Sequence, residues 1–251
     1  VKTVYQLSVC PHDTAKNLAG WYLLNTYLQR NLGCDIHFNL QDNFMVEREA
    51  VLAGGHHIVY ANPYSALEFA EKLGFIPVAR PIGVFDETLV VIRKGTKPAE
   101  LAKPRIATAT KGLIVHALGC MEMKKLGLDP STFDFIMAGN HLKAVQAVIK
   151  GDADIGFVFN ETWSGMNAAS RESLEAIAES SDGYAFHCFC ISPEWQDKKA
   201  RLLEILTGMQ QDQNGGSRIL EDLKFKGFEP VPEDTIQHLE SIIAQVKTCY
   251  S

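Results

Sequence analysis

Long hydrophobic runs are missing from this 251-residue chain. Its apolar stretches, such as Phe157 to Phe159 and Leu89 to Ile92, fall far short of the roughly 20 residues that a membrane-spanning helix requires. An excess of positive charge is missing as well. Twenty-four Lys and Arg against 30 Asp and Glu give a formal net charge of −6, the wrong sign for a chain that grips a phosphate backbone, so nucleic acid is not an expected partner. Paired CxxC zinc ligands are absent: of the six cysteines (Cys10, Cys34, Cys120, Cys188, Cys190, Cys249), only Cys188 and Cys190 are close, and on an expected strand they share one face. Most of these thiols are expected to be small buried hydrophobes, and spacing assigns no disulfide. Gly-x-Ser-x-Gly, His-Glu-x-x-His and the phosphate loop with Gly-Lys-Ser/Thr are all absent, so no catalytic residue, metal or cofactor is expected.

What is present is a soluble, core-forming composition, 46% apolar and 22% charged, in a length that suits one large domain or two ordinary lobes. No leader is visible at Val1. The opening Val-Lys-Thr-Val-Tyr reads as the approach to a first strand, which fits a processed chain. A strand at Val4 to Val9, turn chemistry at Pro11 to Asp13, and Leu18, Trp21, Tyr22 and Leu28 at helical spacing over 14–30 follow in order. Further strands at 36–40 and 58–61 flank a helix at 46–53 closed by Gly54-Gly55. This alternation indicates an α/β fold of parallel strands covered by helices, with ligands beyond the carboxyl ends of the strands.

An internal echo organises the chain. Ala50 to Tyr60 and Ala147 to Phe157 both carry a helix ended by glycine, a short polar turn and an apolar strand, which points to two lobes built from one unit. Thr88 to Arg93 running into Lys94 to Pro98 reads as the outbound crossing, and Tyr184 to Ile191 before Ser192-Pro193 as the return. Residues 1–92 with 193–251 then form the first lobe and 93–192 the second, with strands at 105–109, 133–137 and 155–159 and helices at 112–126 and 141–150. The last helices, near 198–209, 218–223 and 234–246, are expected on the first lobe. Two crossings make a hinge, and a hinge makes a closing cleft.

Anion chemistry concentrates at helix beginnings, where unpaired N–H groups and the dipole favour negative charge. Thr110, Lys111 and Gly112 lead from a strand into a helix, and Lys111 adds a full charge. Ala138-Gly-Asn-His141 repeats that geometry, with His141 able to donate a ring N–H. Glu161 follows the strand ending near Asn160, and Tyr64 holds the matching position in the first half. Asp152 and Asp154 lie in a helix-to-strand turn and read as turn residues. Cys10, beside His12, lacks a visible partner for nucleophilic work.

These residues resemble the phosphate, phosphite and phosphonate periplasmic binding proteins of ABC importers, of the type II two-lobed fold. The resemblance rests on Tyr60-Ala-Asn-Pro-Tyr64, Thr88 to Arg93, Thr110-Lys-Gly112, and Ala138-Gly-Asn-His141 through Gly151-Asp-Ala-Asp154. It implies a non-enzymatic, periplasmic, monomeric protein whose ligand is contacted by Tyr64, Thr110, the amides after Lys111, and His141, with Glu161 near a family acidic position. Phe44 stands where the family often has Tyr, Lys111 where it has a hydroxyl, and His187 where it has the carboxylate that holds an amino group. Those exchanges favour a simple oxyanion over a zwitterion. Cys10 and Cys188 leave an arsenic species as a variant. The partner implied is the membrane permease of an importer, or alternatively a sensor histidine kinase. A two-lobed deaminase would instead need an Arg-lined cleft, for which only Arg93 and Arg105 are placed.

Overall fold

The computed structural model describes residues 3–101 and 103–250, so Val1 and Lys2 of the expected approach to the first strand lie outside it. The elements run β1 (Val4–Val9), α1 (Pro11–Leu32), β2 (Asp35–Asn39), α2 (Phe44–Leu52), β3 (Ile58–Ala61), α3 (Pro63–Leu73), β4 (Ile76–Pro81) and β5 (Thr88–Arg93). Next come β6 (Arg105–Thr108), α4 (Ile114–Lys125), β7 (Asp134–Met137), α5 (His141–Lys150), β8 (Ile155–Phe159), α6 (Asn160–Gly165), α7 (Ala168–Glu172) and β9 (Leu174–Glu179). The chain closes with β10 (Cys188–Ile191), α8 (Lys199–Gly208), α9 (Gly216–Leu223), β11 (Phe228–Pro230) and α10 (Thr235–Gln245).

Two compact units result: 1–84 with 186–236, and 85–185 with 237–251. Each owns one mixed sheet, ordered β11-β4-β10-β3-β1-β2 in the first unit and β7-β6-β8-β5-β9 in the second. The expectation of all-parallel strands is corrected here. β10 runs antiparallel to both β3 and β4, and β5 antiparallel to both β8 and β9.

The unit boundaries also differ from those expected. β5 does not lead out of the first unit; it is an interior strand of the second sheet, and the chain changes unit before it, between Val84 and Phe85. The return comes before β10 rather than after it, between Ala185 and Phe186. A third passage occurs in α10, and the last residues belong to the second unit. Their anchoring explains why: the buried His116 ring meets the Cys249 carbonyl at 3.3 Å, Lys124 donates to the Gln245 carbonyl at 2.6 Å, and Tyr184 stacks on His238 at 4.2 Å.

The first sheet has two unlike faces. Leu7, Val9, Ile58, Tyr60, Phe189 and Ile191 alternate onto the face that packs on Trp21, Leu24 and Leu28 of α1. On the opposite face, Ser8 and Cys190 flank Val59 on neighbouring strands, and the side chains are small, thiol-bearing or polar. The internal echo is real in structural terms. α2 and α5 each end near a left-handed glycine, Gly54 (φ 96°) and Gly151 (φ 87°), and each runs straight into an interior strand, β3 and β8. Gly151 is the C-cap of α5, donating its N–H to the Ala147 carbonyl.

Candidate functional site

In the first unit, the loops after β1, β2 and β3 and the residue entering antiparallel β10 meet at one sheet edge, because Cys188 is paired with Ala61, the last residue of β3. Cys10 is the N-cap of α1 and is buried. Pro11 at the first helical position fixes the turn, so Asp13 lies in the first turn of α1 instead of in a loop. Its Oδ2 is 2.7 Å from Nδ1 of His187, with both side chains about nine-tenths buried, and Lys16 approaches Oδ1 at 3.8 Å. Burial pushes the Asp13 carboxyl upward, but the His187 charge and hydrogen bond outweigh it and hold the group below its ordinary value.

Beside this pair, the Asn62 side chain caps α3 by accepting from Ser65 N at 2.9 Å, and its amide donates to Ser65 Oγ at 3.0 Å and to Cys10 Sγ at 3.9 Å. Arg48 is buried against Glu68 (3.1 Å) and donates to Ser65 Oγ at 3.0 Å. Its guanidinium lies under both aromatic candidates, 4.9 Å from the Tyr64 ring and 5.6 Å from the Phe44 ring. Tyr64 and Phe44 are therefore braced by one cation. Glu47 is wholly buried and accepts from Ser8 Oγ at 3.1 Å; burial raises its carboxyl to about 7. The Cys10 thiol is pushed up by burial to about 12, against the pull of His187, which removes it as a nucleophile at neutral pH.

In the second unit, Thr110, Asn140 and Glu161 follow the adjacent parallel strands β6, β7 and β8. Ala138 N donates to the Thr108 carbonyl and Gly139 N to the Ala109 carbonyl, each at 2.8 Å, which locks the first two loops together. Gly139 adopts φ 87°, a conformation suited to glycine, and turns the chain into α5. Asn140 caps α5 by accepting from Lys143 N at 2.8 Å, so His141 is its first residue, with its ring 5.4 Å from that of Phe159 on β8. Gly112 N donates to Thr110 Oγ1 at 3.2 Å, and α4 starts at Ile114, two residues later than expected. Lys111 lies 5.9 Å from the Phe135 ring. Glu161 sits exposed in the first turn of α6.

Arg93 and Arg105 are structural. Arg93 donates to the Val148 carbonyl at 3.0 Å, and Arg105 pairs with Asp154 at 3.3 Å and reaches the Gly151 carbonyl at 3.0 Å, so both close the carboxyl end of α5. Asp154 is accordingly the turn residue it was expected to be. Thr110, Gly112 and His141 are thus gathered at one edge of the second unit, and Cys10, Phe44, Tyr64 and His187 at one edge of the first. Asp13, Glu47 and Arg48 were not expected there. A signal existed for Asp13, since an acidic residue two places after an N1 proline marks a helix start; Glu47 and Arg48 carry none beyond being charges inside an apolar helix.

Residues 7–235 match the family model described as the periplasmic substrate-binding protein of phosphonate ABC transporters. The chain belongs to that family. Its members are solute-binding components, not enzymes. No curated protein matches the sequence. Among solved structures, PhnD1 from Prochlorococcus marinus in complex with methylphosphonate is 14% identical over 98% of both chains, with a TM-score of 0.77. The binding protein component of a phosphonate ABC transporter from Pseudomonas aeruginosa is 12% identical, covering 98% of this chain and 87% of that one, with a TM-score of 0.73. The periplasmic aliphatic sulphonate binding protein SsuA from Escherichia coli is 12% identical over 100% and 90% of the two chains, with a TM-score of 0.66. The architecture is the type II periplasmic binding protein fold.

Proposed function

We propose that this family member captures one small oxyanion of the phosphonate, phosphate or phosphite class, with arsenic oxyanions in the same chemical range, and delivers it to the membrane permease of an ABC importer. The observation that carries this reading is the unequal charge chemistry of the two rims. At the edge of the first unit, buried charged side chains are paired with each other, as Asp13 with His187 and Arg48 with Glu68. The second unit supplies the turn Thr110 to Gly112 leading to α4 and the start of α5 at Asn140-His141, and helix N-termini favour anions. In this reading Tyr64 and Phe44 are the apolar ligand-contact candidates of the first unit, and Thr110, the backbone around Lys111 and Gly112, and His141 are the polar candidates of the second.

The pairing of His187 alters the charge argument made from sequence. A basic residue in place of a carboxylate disfavours an amino group, but here a carboxylate returns through Asp13, 174 positions away in sequence. Selection between simple oxyanions and aminophosphonates therefore rests on Lys111 and on how much of the Asp13 charge His187 takes up. A thermal-shift panel of methylphosphonate, phosphate, phosphite, arsenate, arsenite, an aminoalkylphosphonate and an alkanesulfonate tests the proposal. A true ligand at 100 times its dissociation constant adds about 2.7 kcal/mol. Stabilisation by a simple phosphorus or arsenic oxyanion is expected. Stabilisation by the sulfonate alone, or by no oxyanion, contradicts it, and stabilisation by the aminophosphonate alone reassigns Asp13 as the amine's partner.

A further inference from the structure

Cys10, Asp13 and His187 form a set that sequence spacing does not reveal, since two come from the start of α1 and the third from the approach to β10. One ligand-type atom from each (a thiol sulfur, a carboxylate oxygen and an imidazole nitrogen) lies within 4.8 Å of the other two, and all three residues are buried. Tetrahedral coordination with bonds of about 2.0–2.3 Å places donor atoms roughly 3.5 Å apart, so modest side-chain adjustment closes the set around one ion. We propose that this cluster is a binding site for a divalent, thiophilic transition-metal ion of the zinc class, held by Cys10 Sγ, Asp13 and His187 in the first unit.

Three features favour that occupant. A thiolate and a carboxylate bring two negative charges, which a divalent ion neutralises, and the thiol proton leaves to solvent as the metal–sulfur bond forms. A sulfur and an imidazole nitrogen select against calcium and magnesium, which take oxygen ligands. Beneath the same strand end, Glu47 is fully buried, and its Oε2 has no hydrogen-bond partner. That carboxylate interacts electrostatically with Cys10, Asp13 and His187, so further negative charge is held where a cation relieves it. The helix start at Pro11 and the amide of Asn62 on Cys10 Sγ keep the thiol in place.

The test is a titration of the chelator-treated, fully reduced protein with Co2+ and then Zn2+. One Co2+ per chain is expected, with a thiolate-to-cobalt band in the near ultraviolet and intense tetrahedral bands in the visible, both displaced by Zn2+. Cys10→Ser should abolish the near-ultraviolet band, and His187→Ala should weaken Zn2+ binding by about 100-fold. Cys34→Ser, a half-buried thiol elsewhere in the same unit, should leave both unchanged. If either site variant fails to fold, X-ray absorption of the zinc-loaded wild type decides: one sulfur at about 2.3 Å with nitrogen and oxygen at about 2.0–2.1 Å is expected. A wild type without the thiolate band, a band that survives Cys10→Ser, or a shell with no sulfur or with two overturns the proposal. Oxyanion binding measured in chelator is read separately, so a protein that binds its anion but no Co2+ contradicts the metal site alone.

Discussion

The two units solve the same architectural problem with opposite chemistry. The first packs ionised side chains at the carboxyl edge of its sheet and pairs them off: Asp13 with His187, Arg48 with Glu68, and Arg48 beneath Tyr64 and Phe44. At the equivalent edge the second presents the Thr110 hydroxyl, which accepts from Gly112 N, and the start of α5 capped by Asn140. Side chains paired in a dry setting are rigid but electrically spent. Helix starts carry backbone N–H groups without intrahelical partners and a dipole that favours a guest bearing negative charge.

The largest expected effect lies on the paired side. Asp13→Ala strands the His187 ring, nine-tenths buried, without its partner, and breaking such a pair costs about 3–5 kcal/mol. Urea unfolding should show this loss. A change below about 1 kcal/mol would mean that the pair is exposed to water and that the contrast between the units is overstated.

Glu47 comes next, a fully buried carboxyl whose Oε2 has no hydrogen-bond partner. Its carboxyl is raised to about 7, chiefly by burial, opposed by the Ser8 hydrogen bond and the charges of Arg48 and His187, with Asp13 adding to the rise. A carboxyl whose folded value lies above its unfolded one is neutral and unpenalised below about pH 4.5. It loses stability as pH climbs toward 7, by a total of about 3 kcal/mol. Glu47→Gln, which mimics the protonated form, should therefore flatten stability between pH 5 and 8 relative to wild type. Parallel pH profiles in wild type and variant would place the titration elsewhere.

The smallest effect belongs to the second unit, where the start of α5 depends on the Asn140 cap. Asn140→Ala removes the acceptor for Lys143 N and should cost about 1 kcal/mol by thermal or urea unfolding. Because His141 is the next residue, oxyanion affinity should fall along with stability. A stability loss with unchanged affinity would detach that helix start from binding.

This contrast also explains what could be read from sequence. The second rim is local: a strand, a glycine-bearing turn and a helix start occupy a few consecutive residues, so Thr110 to Gly112 and Asn140-His141 were visible. β3, β8 and α5 were likewise bounded by glycine and by their own periodicity. The first rim is assembled from Asp13 and His187, which no short pattern connects. β5 was misplaced because an apolar strand followed by the polar Lys94 to Pro98 segment has the composition of an exit. Only antiparallel pairing with β8 and β9 shows that the strand is interior. The assignment of the C-terminal segment depended on single contacts such as His116 with Cys249, which composition does not encode.

The direct test is isothermal titration of the metal-free protein with the oxyanion that stabilises it best, comparing wild type with His141→Ala in the second unit and Tyr64→Ala in the first. One ligand per chain is expected, with affinity reduced at least about tenfold, or 1.4 kcal/mol, by each substitution. Undiminished binding in His141→Ala would show that the helix beginnings of the second unit do not hold the anion.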